Sequence, residues 1–403
     1  MNDPLRIAVS GLAATYPFGG VFWDYIQYAY GLHLLGHDVL YVEDTGKWGY
    51  DPTAQTFVED GAANAEYLRR HLSALDPALN TRWFYRDGGG QTYGKTWSEV
   101  VDFCKTADLF IHISASCLMR DEYLAAQRVA FIDSDPMYTQ SSIPDYVAQT
   151  LDLEARGRVD MLRRHDAFFT FGENIGRETC LIPTAVFDWM PTRQPILSDY
   201  FAKYIAPVTL RRPVFTTVAS WEPNEKGPVV NGVAYSGKST EFLRFIDLPR
   251  QVQATLEIAL SGLPPGPTAR LEANGWNVID AFAISSDPWN YREYLATSLG
   301  EWSVSKNAYS ASRSGWFSCR TACYLALGVP AVVQNTGFAD DIPTGRGLLA
   351  FDSIEEAADG IRQVLKDPQL HATAAREIAF ECFDSKLVLS QLIDRAMTSP
   401  KRI

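Results

Sequence analysis

Between Glu301 and Asp340 the chain carries no acid, yet it holds Lys306, Arg313 and Arg320. The whole protein has 36 Lys and Arg against 48 Asp and Glu, a net charge of −12, so this window stands out as a cationic island. Within it, Ser312-Arg313-Ser314-Gly315-Trp316-Phe317-Ser318-Cys319-Arg320-Thr321 leads into a helical run that ends at Gly328 and Pro330. The first amides of a helix have no intrahelical partner, and the helix dipole favours negative charge there. Cations, glycine and hydroxyls at such a helix start suit an anion such as a diphosphate. A solvated basic loop beside an ordinary cap would use the same residue types.

Two other clusters could do chemistry. Gly232-Val233-Ala234-Tyr235-Ser236-Gly237-Lys238-Ser239 satisfies the GxxxxGK[ST] pattern ahead of a helical run. It follows a Pro- and Asn-containing stretch and has no evident Walker-type partner. This favours a lysine and hydroxyls reaching phosphates over a nucleotide hydrolase. Asp133-Ser134-Asp135 ends an apolar run before Pro136. Its carboxylates could hold a divalent cation, take a proton, or simply shape a turn.

The elements that must position these residues follow from composition and period. With 403 residues, 46% of them hydrophobic, the chain is long enough for two cores. Its acidic balance argues against broad electrostatic binding to nucleic acid. Met1-Asn2-Asp3-Pro4 lacks a basic n-region, and no apolar run reaches the ~20 residues of a membrane span. Cysteines at 104, 117, 180, 319, 323 and 382 are scattered, which suits free thiols in a cytoplasmic protein. Cys319 and Cys323 lie one helical turn apart, with no histidine nearby to complete a metal site.

Strands are expected at Arg6–Ser10, Val39–Glu43, Leu109–Ser114, Val129–Asp133 and Ala167–Phe171, with helices over Val21–Leu35, Gly61–Leu75, Trp97–Thr106 and Leu151–Arg164. Prolines 183, 191, 195 and 207 then punctuate the chain. A second series has strands at Val214–Ala219, Leu256–Leu260, Trp276–Asp280, Glu301–Val304 and Ala331–Asn335. Its helices are expected at Ser239–Ile246, Tyr291–Leu299, 318–328 and Ile354–Leu365, and a last one runs from Ser385 to Met397. The pattern is α/β, with two Rossmann-like domains at 1–205 and 206–384 and a C-terminal segment, 385–403, packing back toward the first domain. Ligands of open parallel sheets bind at the strands' carboxyl ends, so a cleft between facing domains is the expected site.

The chain resembles the GT-B glycosyltransferases, in particular a bacterial GT-B-like group. The resemblance runs from Gly315-Trp316-Phe317-Ser318 through Tyr324-Leu325-Ala326-Leu327-Gly328-Val329-Pro330 and Gln334-Asn335-Thr336-Gly337-Phe338 to Pro343-Thr344-Gly345-Arg346-Gly347-Leu348-Leu349. Ile132–Pro136, Phe171-Gly172-Glu173-Asn174 and Pro191–Pro195 extend it into the first half. The resemblance implies a nucleoside-diphosphate sugar held by the C-terminal domain and a small-molecule or glycan acceptor held by the N-terminal one, with no metal or other cofactor. Donor contacts would come from Lys238, Lys306, Arg313, Gly315, Trp316, Ser318, Arg320 and Thr321, and the sugar would lie near Thr336, Gly337 and Phe338. Acceptor contacts would come from the loop with Tyr16, Phe18, Gly19, Gly20 and Trp23, and from Asp135, Glu173 and Asn174. Asp24 or Asp133 would be the general base that takes the acceptor's proton. Where retaining members often carry two glutamates eight residues apart, this chain has Gly315 and Cys323.

Other classes are weighed against this one. A Rossmann dehydrogenase would need Gly-x-Gly-x-x-Gly after the first strand, and Ser10-Gly11-Leu12-Ala13-Ala14-Thr15 fails it, although Glu43 sits where a ribose-binding acid would. A GT-B-fold epimerase or binding protein would keep the nucleotide site without transfer. A DNA-modifying transferase finds no support in the charge.

Overall fold

Short runs of β-branched and aromatic residues become parallel strands when helices cover both faces of the sheet. The computed structural model describes residues 3–184, 186–221, 226–261 and 265–401. Met1 and Asn2, read above for a leader, and Arg402 and Ile403 of the last segment lie outside the described residues.

Arg6–Ser10 is central in an eight-stranded sheet, with Ile7 opposite Val39 of Asp38–Asp44 and opposite Leu109 of Leu109–Ile113. Beyond Leu109–Ile113 lie Arg128–Asp133, Ala167–Thr170 and Trp189–Pro191; beyond Asp38–Asp44 lie Trp83–Arg86 and the antiparallel Thr92–Gly94. The second sheet has six parallel strands. Arg212–Ser220 is flanked by Thr255–Ser261 and Asn277–Asp280 on one side, and by Ser298–Ser303, Ala331–Gln334 and Leu348–Phe351 on the other. Each sheet reverses its strand order beside its first strand, and crevices open at such reversals.

Most expected elements stand within a few residues of their places. The helix expected at Tyr291–Leu299 is Pro288–Ala296, and Leu299 belongs to Ser298–Ser303, because Pro288 starts the helix early behind the Asp287 cap. Ser353 and Glu356 form the capping box that the spacing predicts. The 16-residue helix Pro368–Phe383 and the hairpin of Gly49–Asp51 with Thr56–Val58 were not foreseen. The last helix, Ser385–Thr398, returns to the first half: Arg395 donates to the Pro191 carbonyl at 2.7 Å and lies over the Phe169 ring. One buried cluster, including Ile7, Trp23, Tyr291, Tyr324 and Leu389, runs through both halves. No helix among the described residues is long and apolar enough to cross a membrane.

Candidate active site between the two sheets

The Gly19–Leu34 helix begins where the loop after Arg6–Ser10 ends at extended Phe18, so Gly19, Gly20 and Trp23, expected in that loop, are helical. It packs closely on Pro288–Ala296 because Gly19 has no side chain: a Cβ there would stand 2.4 Å from Tyr291 Cβ. Gly20, Val21 and Asp24, spaced three and four apart on one helix face, then line a cleft of about 660 Å³. Glu43 fixes the preceding loop, accepting hydrogen bonds from the amides of Ala14 (2.8 Å) and Thr15 and from the Tyr41 hydroxyl (3.0 Å). Burial pushes the Glu43 carboxyl up to about 7 against those bonds.

Asp24 faces this cleft half-buried. Burial raises its carboxyl to about 7, while the Cys319 thiol and Arg320 favour the charged form and Asp135 opposes it. Opposite stand Lys238, Ser318, Cys319 and Arg320. Lys238 opens the helix Lys238–Arg244, and among the described residues its ammonium has no hydrogen-bond or ion-pair partner. Burial, and then the charges of Arg320 and Lys306, lower it to about 7. Ser318 caps the Cys319–Ala326 helix without a side-chain bond to it, so first-turn amides are directed at the same space.

Arg320 is committed elsewhere than the sequence suggests. Its Nε meets Glu301 Oε1 at 2.8 Å and its Nη1 donates to the Val218 carbonyl at 2.8 Å, with Glu301 fully buried. Thr321 also donates to Glu301, at 3.1 Å. The acid that bounds the cationic window in sequence therefore folds beneath the arginine and pairs with it. Arg313 lies outside the cleft, 43% exposed and 3.7 Å from Asp340. Lys306 reaches Asp135 at 3.4 Å and sits over the Tyr138 ring, so it bridges the halves instead of lining the main chamber.

Behind Asp24 an annex of about 150 Å³ is lined by Ser114, Ser134, Asp135 and Gln194 and by Ile113, Phe171 and Trp316. Trp316 lines both spaces and donates from Nε1 to the Ser134 carbonyl at 3.0 Å. Asp135 accepts from the Tyr309 hydroxyl.

Several expected roles are corrected by burial. Asp133 is 1% exposed and accepts from Thr139, Gln140 and Thr170, so it braces the strand end and cannot reach an acceptor. Trp23 is buried with its indole donating to the Pro288 carbonyl. Glu173 is bound to Arg193 through two bonds of 2.7 and 2.8 Å. Asn174 is fully buried and donates to the carbonyls of Arg313 (3.2 Å) and Gly337 (3.1 Å). Its packing explains two glycines: a Cβ at Gly315 would stand 2.8 Å from Asn174 N, and one at Gly337 2.5 Å from its Nδ2, both at positive φ. Thr336, Phe338 and Thr321 border a void of about 20 Å³, room for a water and not for a sugar.

Tyr50, Phe57, Phe282, Tyr291 and Cys319 line the cleft and escaped the sequence reading. Tyr50 and Phe57 sit on the unforeseen hairpin, where seven-residue spacing across Asp51-Pro52-Thr53 was the available signal. Among the described residues no group of three or more His, Cys, Asp or Glu is arranged to hold a metal ion.

No family model matches the chain, and no curated protein matches it by sequence. Solved structures match its fold. An alpha-glucosyltransferase in complex with UDP-glucose and DNA containing an abasic site superposes over 98% of this chain and 100% of that one, with a TM-score of 0.58 at 12% identity. AviGT4, a glycosyltransferase involved in avilamycin A biosynthesis, covers 98% and 99% with a TM-score of 0.53 at 12% identity. A glycosyltransferase from Rickettsia africae ESF-5 covers 98% and 99%, with a TM-score of 0.53 at 13% identity. At such identities the likeness is one of fold.

Proposed function

The chain has the GT-B fold of these glycosyltransferases, and from that premise we propose that it transfers a sugar from a nucleoside-diphosphate donor to a hydroxyl-bearing acceptor. One observation carries the reading: Asp24 faces Lys238 and the start of the Cys319–Ala326 helix across a single cleft, at the carboxyl ends of the parallel strands of two sheets. The donor diphosphate lies against Lys238, Ser318 and the first amides of that helix, with Arg320 at its edge. The sugar enters the annex behind Asp24, toward Ser114, Ser134, Asp135 and Gln194. Asp24 takes the acceptor's proton as its oxygen attacks the anomeric carbon. The bond from that carbon to the phosphate oxygen breaks, and the charge left on the diphosphate is met by the ammonium and the amides. The ammonium and the amides take the part that a metal ion would otherwise play.

The cleft is not built for the DNA that the fold neighbour binds. The first-half residues of the cleft supply one acid and no cation, where a phosphate backbone would need several. The test is calorimetric titration with a panel of nucleoside diphosphates, and product analysis with the matching nucleotide sugars. At least one diphosphate should bind, Lys238→Ala should weaken it about tenfold or more, and Asp24→Asn should keep binding while losing transfer. If no nucleoside diphosphate binds, the reading fails. If transfer is unchanged in Asp24→Asn, Asp24 is not the base; if a nucleoside diphosphate binds and no sugar is transferred from any donor, the site is that of a binding protein or epimerase.

A further inference from the structure

The first-half wall of the cleft is aromatic. Phe18 lies 5.5 Å from Tyr50 between ring centroids, Tyr50 lies 5.4 Å from Phe57, and Phe57 lies 6.0 Å from Tyr16. Phe282 of the second half closes the row, 5.7 Å from Phe18. Phe57 stands edge-on to Tyr16 and Tyr50, at 83° and 81°, and Phe18 is tilted by 45° to Tyr50. The rings therefore form a contiguous apolar recess in which a flat ligand stacks on one face and meets the others at their edges. Phe57 nevertheless leaves 51% of its surface open to solvent.

The wall is also built rigidly. Tyr50 and Phe57 are directly opposed across the Gly49–Asp51/Thr56–Val58 hairpin. The hairpin is tied to the loop that carries Tyr16 and Phe18: Tyr50 N donates to the Thr15 carbonyl at 2.8 Å, and Asn64 Nδ2 donates to the carbonyls of both Ala14 (2.8 Å) and Tyr50 (3.0 Å). An apolar surface held in place before binding loses little entropy when a ligand covers it.

Its chemistry selects among acceptors. Apart from Asp24, the polar groups on this wall are the hydroxyls of Tyr16 and Tyr50, too few to satisfy the many hydroxyls of a glycan. A phosphorylated acceptor finds no cation on it. A flat, uncharged ring system bearing a hydroxyl meets both conditions, stacking on the rings with its hydroxyl turned toward Asp24, one helical turn beyond Gly20. Resting on the transfer reading above, we propose that the acceptor is a planar aromatic alcohol or phenol seated on Tyr16, Phe18, Tyr50 and Phe57.

The test uses 7-hydroxycoumarin as probe, with maltose and duplex DNA as comparators, and reads binding without donor as well as turnover with it. 7-Hydroxycoumarin should bind the full chain and accelerate nucleotide release. Phe57→Ala, whose side chain supports no core, should weaken probe binding about tenfold, in the range of stacking on one aromatic ring, and Phe18→Ala should do the same. Neither should change affinity for nucleoside diphosphates. Failure of the probe while maltose or DNA serves as acceptor overturns the inference. So does probe binding indifferent to both substitutions, or loss of nucleotide affinity in their place, which would make the wall a nucleobase platform. Phe57-dependent probe binding in a protein that binds no nucleotide would keep the aromatic site and refute the transfer reading instead.

Discussion

Asp24 and Lys238 reach nearly the same midpoint from opposite directions, because loss of water penalises a carboxylate and an ammonium alike. The base form of Asp24 grows as pH rises through about 7, and the charged form of Lys238 disappears over the same interval. The kcat/KM profile should therefore be a narrow bell centred near pH 7, falling about tenfold per pH unit on each side. Lys238→Arg, which stays protonated, should erase the alkaline limb and leave the acid one; an unchanged profile would remove Lys238 from the chemistry. Arg320 makes a different prediction. Arg320→Met strands the buried Glu301 carboxylate and should cost about 3–5 kcal/mol in urea denaturation. Adding Glu301→Leu should restore most of that, since a buried pair is often replaceable by apolar groups. The sequence made the cationic window legible, but not this ion pair: strand pairing sets Glu301 beside Ala331, and nothing local reveals it.

At the scale of elements, the Gly19–Leu34 helix is the lever that carries Asp24. Gly19→Ala would press a methyl into Tyr291, and overpacking of this kind costs about 1–3 kcal/mol. Thermal unfolding should show the loss, and transfer should fall with it as the carboxylate is displaced; an unaltered melting curve would mean the helices are not in firm contact. Elements with strong periods and stop signals were legible, among them Arg6–Ser10, Trp97–Lys105 with its Thr96 cap, and Ile354–Lys366 with its capping box. Those missed had weaker signals. Leu348–Phe351 is four residues long, and Pro368–Phe383 follows the preceding helix with a single intervening residue, Asp367. Within the site, Asp24, Lys238, Ser318 and Arg320 were legible from residue type and order. Asp133 and Trp23 were misplaced because burial depends on partners distant in sequence, such as Thr170 and Pro288.

Across the whole molecule, the two halves are clasped by bonds between groups far apart in sequence. Asn174 binds the Arg313 and Gly337 carbonyls, its amide donates to the Ser314 carbonyl, and Trp316 reaches back to Ser134. His71 similarly meets Asp287 at 3.0 Å on another side of the cleft. Asn174→Ala would leave the buried Gly337 carbonyl without its donor, at about 1–3 kcal/mol, and strip a bond from the half-buried Arg313 carbonyl. Small-angle scattering of the ligand-free variant should give a larger radius of gyration than the parent, and equal radii would show that the clasp does not hold the halves. The pairing of Arg320 with Glu301 also bears on how a reaction cycle ends. A permanent unpaired cation would retain the spent nucleotide as firmly as it received the donor. With Glu301 beneath it, the guanidinium pulls less on the departing group than an unpaired one would, so turnover need not stall with the by-product in place.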